Sequence, residues 1–134
     1  MTLPNASASA PDCPFCALPD SRIIIGNGLA IGIRDAFPVS NGHTLIIPRR
    51  HIGSFFETSD EERSALLALL DTAQSALDAE FHPAAYNIGI NDGAAAGQTV
   101  PHLHIHLIPR YTNDESDPRG GIRKIFPKKA KYWE

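Results

Sequence analysis

A chain of 134 residues with 43% hydrophobic and 20% charged residues is long enough to bury one core and too short for two domains of ordinary size. Its composition excludes a disordered polypeptide. A formal net charge of −3 removes the basic surface that long nucleic acid calls for, and no run approaches the ~20 apolar residues of a membrane-spanning helix.

Residues 1–12 carry Ser, Ala, Pro and Asn without periodicity and read as a flexible leader ahead of a single domain over 13–134. They lack the basic and apolar regions of a signal peptide. Cys13 and Cys16 are the only cysteines. Two thiols so close make no secreted disulfide framework, and a reducing cytoplasmic setting is expected. The spacing leaves three readings open: half of a tetrahedral zinc site, a redox pair without its usual βαβ setting, or two buried thiols.

Apolar and β-branched runs over 22–25, 29–33 and 43–47, separated by Gly, Asn, Asp and Pro, predict three short strands. A helix is expected from Thr58 or Ser59, where a capping hydroxyl precedes Asp60, Glu61 and Glu62. Leu66, Leu67, Leu70, Ala73 and Leu77 supply its apolar face, and His82 and Pro83 end it. Two more strands follow over 86–91 and 102–108, with a Gly/Ala-rich loop at 92–99 between them. One long helix among strands on short turns predicts an α+β fold, a mostly antiparallel five-stranded sheet with additional short helical cover.

Residues 102–108 read His-Leu-His-Ile-His-Leu-Ile. Strand alternation turns Leu103, Ile105 and Leu107 inward and sets His102, His104 and His106 on the other face, neighbours ~6.5–7 Å apart. A row of imidazoles beside a glycine-rich loop can attack, donate or exchange protons near neutral pH. An imidazole row is also what a catalytic metal site would use, although neighbours on one strand diverge too much to chelate one ion well. Phosphoryl chemistry is consistent with these residue types, because charge on the phosphate needs donors already in place. His106, Gln98 and the N–H groups of 93–97 can supply them.

The His102–Ile108 motif, with Gly42–Pro48, Asn87–Gly93 and Ala96–Val100, resembles the histidine triad family from Cys13 to about Tyr111. The resemblance implies that His104 is a nucleophile forming a covalent nucleotidyl intermediate, with His106 on the phosphate and His43 close by. It further implies that Gln98 and Thr99 hold the phosphate or leaving group, that Asn91 lies along the phosphate path and that Asp35 accepts a ribose hydroxyl. Phe15, Ile24 and Ile33 would touch the base, and a backbone carbonyl near His102 would orient His104. In the zinc-binding bacterial branch, the positions matching Cys13, Cys16, His51 and His102 close a structural Zn2+ site that takes no part in the chemical step.

The cations Arg119 and Arg123 and the aromatic pair Tyr132 and Trp133 resemble a family tail that crosses to the partner of a homodimer; packing on the chain's own surface is the alternative. The expected activity is that of a hydrolase or transferase at the α-phosphate of a purine nucleotide, whether a dinucleoside polyphosphate, a phosphoramidate or another adenylate. A nucleotide-binding sensor with little turnover is the competing reading.

Overall fold

The apolar runs between turn residues form five strands, in a computed structural model that describes residues 10–134. These are β1 (Ile23–Gly26), β2 (Ala30–Arg34), β3 (Thr44–Pro48), β4 (Ala85–Gly89) and β5 (Ile105–Arg110), with one long helix, α1 (Asp60–Phe81), between β3 and β4. The first nine residues of the expected leader lie outside the described residues. All pairings are antiparallel, in the order β1-β2-β3-β5-β4, so the α+β architecture expected from the sequence is the one observed.

Every residue of β3 is buried, because both faces of the sheet are covered. On one side α1 packs Leu66, Leu69, Ala73 and Leu77 against Ile46, Leu103, Ile105 and Leu107. On the other, Phe15, Leu18 and Ile23 pack against Ile31, Ile33, Leu45 and Ile47. The segment from the cysteines to β1 therefore does on one face what the helix does on the other.

Ser59 caps α1 and forms a capping box with Glu62. Glu62 is itself buried and accepts two hydrogen bonds from Arg50 at 2.8 and 2.9 Å. The apolar face differs from the expected one at two positions: Leu67 is 52% exposed, while Leu69 is 4% exposed. At ~100° per residue, Leu69 stacks one turn beyond Leu66 whereas Leu67 rotates off the face. His82 ends the helix in the left-handed conformation. Among the described residues no helix is long and apolar enough to cross a membrane.

Two further details position the site. Gly42 has φ +88°, and an added Cβ would sit 2.9 Å from Leu77 Cδ2, so the chain passes tightly under α1 just before His43. The last strand begins at Ile105, three residues later than the sequence suggests. His102 and His104 precede the ladder because Leu103 N–H bonds Ile52 O at 2.7 Å outside the sheet. Alternation survives, with Leu103, Ile105 and Leu107 all in the helix-side core.

Leu66→Ala should cost about 2–5 kcal/mol, whereas Leu67→Ala should stay within about 0.5 kcal/mol. Urea denaturation of the two variants checks which leucine faces the core.

Candidate active site and metal cluster

The three imidazoles that alternation places on one side do not converge on a single point. His104 and His106 line one cavity of about 620 Å³. His102 turns its Nδ1 toward the cysteine pair instead. The nitrogens of a common metal ligand set are therefore not gathered in the row.

Hydrogen bonding fixes the tautomers. His104 Nδ1 lies 2.8 Å from the carbonyl oxygen of His102, and a carbonyl only accepts, so Nδ1 carries the proton. In the neutral ring Nε2 then keeps its lone pair, and it has no hydrogen-bond partner among the described residues. Val39 N–H donates to His43 Nδ1 at 3.2 Å, which puts the proton of neutral His43 on Nε2. That proton faces His106 Nδ1 at 3.0 Å, so His106 in turn carries its proton on Nε2 as a donor. The resulting chain runs from the Val39 amide through His43 to His106.

Asp35 closes this group. Its Oδ2 lies 3.5 Å from His43 Nε2, and its Oδ1 accepts from Phe37 N–H at 2.8 Å. Asp35, His43 and His106 are close enough to suggest a metal site. The Val39 N–H occupies the Nδ1 lone pair of His43, however, so Nε2 holds a proton where a metal would need a lone pair. The arrangement works as a hydrogen-bond relay.

The cavity brings together Asp35, His43, Asn91, Thr99, His104 and His106, with Phe15 and Ile33 on its apolar wall. Phe15 meets the His104 ring edge-on at 5.1 Å. Two expected residues stand elsewhere. Ile24 sits at a bulge between Ile23 and Ile25 and is exposed, because the extra residue turns its side chain away. Gln98 is absent from the lining: its Oε1 accepts from Gly93 N–H at 2.8 Å, and its Nε2 donates to Gly53 O and Val100 O at 3.0 and 3.1 Å. Its amide braces the glycine loop and has no N–H free for a phosphate.

Residues that sequence reasoning passed over also line the cavity: Leu18, Arg22, Phe37 and Val39. The last two offered a signal, since apolar side chains straddling Pro38 in a turn just after Asp35 have no obvious structural use. In the tail, Arg119 lies over the Trp133 ring and Arg123 over the Tyr132 ring, at 4.4 and 4.7 Å. Neither arginine lines the cavity of its own chain.

Beside the cavity, Cys13 Sγ, Cys16 Sγ, His51 Nδ1 and His102 Nδ1 form one cluster. Cys13 Sγ lies 3.4 Å from His102 Nδ1, Cys16 Sγ lies 3.3 and 3.5 Å from His51 and His102 Nδ1, and the nitrogens are 3.1 Å apart. A tetrahedral zinc with ordinary bond lengths implies edges of about 3.5 Å for S–N and about 3.3 Å for N–N, so donor types and spacing both fit. His102 Nε2 donates to Pro48 O at 2.8 Å, which leaves Nδ1 bare as a ligand must be.

A model of the HIT domain matches residues 19–113. An uncharacterized HIT-like protein of Mycoplasma genitalium is 40% identical over 103 residues, covering 74% of this chain and 73% of that one. A Schizosaccharomyces pombe protein named as an asymmetrical bis(5′-nucleosyl)-tetraphosphatase is 35% identical over 97 residues, 72% of this chain but 53% of its own length. Among solved structures, a Zn-bound histidine triad family protein from Mycobacterium smegmatis superposes with a TM-score of 0.71 at 35% identity, covering 79% of this chain and 80% of that one.

Burial lowers the pKa of His43 and lowers that of His106 to about 4. The neighbouring His104 and His43 push His106 further down, and Asp35 opposes both shifts. The unfolded chain, with ordinary imidazoles, binds more protons below pH ~6.5, so stability should fall as the pH drops from there toward 4. Urea midpoints at pH 7.5, 6 and 5 should decrease in that order, with a smaller decrease in His106→Asn.

Proposed function

The chain belongs to the histidine triad, or HIT-domain, family, and from that membership we propose that it is a nucleotidyl hydrolase or transferase acting at the α-phosphate of a purine nucleotide. The observation that carries this reading is His104, an imidazole with its proton held on Nδ1 by a backbone carbonyl and its Nε2 unpartnered beside a cavity. The tetraphosphatase named among the relatives supports a dinucleoside polyphosphate as one substrate class. Phosphoramidates and other adenylates present the same α-phosphorus to the same nitrogen.

In the proposed reaction His104 Nε2 bonds to the α-phosphorus as the bond to the bridging oxygen breaks, and that oxygen leaves with the electron pair. Water then attacks the same phosphorus and gives up a proton to solvent, the P–N bond breaks with its electron pair returning to Nε2, and the nucleoside monophosphate departs with His104 restored. An acceptor other than water gives transfer. The Nε2–H of His106 and the Thr99 hydroxyl serve as donors to the charged oxygens; the expected loop donors do not, because the N–H groups of Gly93, Ala96 and Gly97 are bonded within the loop. Asn91 lies along the phosphate path, Asp35 accepts a ribose hydroxyl, and Phe15 and Ile33 flank the base. A nucleotide sensor could use the same cavity, but it has no need of an imidazole whose proton is held away from the ligand.

We assign the Cys13, Cys16, His51 and His102 cluster to structural zinc, which when bound supplies a cross-link between the N-terminal segment and the approach to β5. A homodimer completes the proposal. Edge strand β4 exposes Ile88, and the tail beside it exposes Ile122, Ile125 and Phe126, an apolar surface suited to a second copy.

Incubation with an α-labelled dinucleoside polyphosphate followed by quenching should leave label on His104. His104→Gly should lose the adduct and at least ~10³-fold in turnover while nucleotide affinity stays within about tenfold; full activity in that variant would refute the assignment. Purified protein should carry about one zinc per chain by elemental analysis, and the paired Cys13→Ser, Cys16→Ser variant should carry none and melt earlier.

A further inference from the structure

Besides the histidines, Asp35, Asn91 and Thr99, the cavity lining is apolar except for one cation. Phe15, Leu18 and Ile33 form this part of the lining, backed by the buried cluster behind the sheet. Arg22 stands among them, half-buried, at the end of the 3-10 turn Asp20–Arg22 that leads into β1. One guanidinium N–H donates to Arg34 O at 3.0 Å, and Arg34 lies between the cavity residues Ile33 and Asp35. Among the described residues no carboxylate comes within ion-pairing distance of Arg22.

A guanidinium offers five N–H donors and no acceptor. The tether to Arg34 fixes the group and commits one donor. A ligand filling this corner strips water from the others, and donors left unpaired there weaken binding. The ligand must therefore bring acceptors. Guanine and hypoxanthine present O6 and N7, two acceptors spaced for a guanidinium fork, whereas adenine pairs N7 with an amino group that opposes an arginine N–H.

We propose that Arg22 is a specificity-determining residue that reads the base edge and biases the site toward 6-oxopurine nucleotides over adenine nucleotides. The inference rests on the nucleotidyl reading above, which puts a purine nucleotide in the cavity. It adds the base preference, a property that the histidine geometry leaves open.

Calorimetric titration of the full chain with GMP, IMP and AMP tests it. GMP and IMP should each bind about tenfold more tightly than AMP, the discrimination of one paired polar edge. Arg22→Met should bring the three within about twofold of one another. Arg22→Lys, which keeps the charge without the fork, should not restore the preference. Melting curves establish that each variant is folded.

Equal binding of GMP and AMP to the unaltered protein, persistence of the preference in Arg22→Met, or its full recovery in Arg22→Lys would each overturn the role of Arg22. In those cases a labelled His104 adduct would still leave the nucleotidyl reading standing. If none of the three nucleotides binds and no adduct forms, both fall together.

Discussion

One hydrogen bond, 2.8 Å from His104 Nδ1 to the carbonyl oxygen of His102, decides which face of an imidazole meets the cavity. A carbonyl can only accept, so the proton is drawn to the interior nitrogen and the other keeps its electron pair. The bond in turn depends on His102 being immobile. Its ring is pinned on one side by Pro48 O and on the other by the cysteine and histidine cluster. The candidate metal centre and the candidate nucleophile thus share a residue, the first through its side chain and the second through its backbone.

The rest of the fold serves this arrangement by leaving a cavity between the sheet and its N-terminal cover. α1 seals the opposite face, while the N-terminal segment packs on Ile31, Ile33, Leu45 and Ile47 and leaves a hollow that Ile33, Leu45 and the histidines line. β3 and β5 pair with Leu45 opposite His106, which sets an apolar floor beside a polar wall. His43 comes from the turn before β3, where the tight passage at Gly42 fixes its approach.

Much of this was legible because it follows from period and spacing. The alternation of 102–108 separates histidines from core residues even though the strand begins later than the pattern suggests. Capping at Ser59, the five strands and the Cys13, Cys16, His51 and His102 grouping were likewise open to sequence reasoning or to family resemblance. What escaped it depended on tertiary placement. Leu67 and Leu69 are equally apolar, and only helix rotation against the sheet distinguishes them. Ile24 belongs to a strand pattern, yet a bulge reverses its side. The tautomer of His43 follows from an amide at Val39 whose position no local rule gives. Gln98 has the chemistry of a phosphate ligand, but three backbone groups claim its amide.

Those three bonds have a meaning beyond the loss of a ligand. Gln98 joins Gly93, Gly53 and Val100 through one side chain, so a glycine-rich stretch that would sample many shapes in isolation is stitched into one. Its conformational freedom is surrendered when the chain folds. A ligand entering beside this loop meets a shape already set, and its binding bears none of the entropic cost of ordering it.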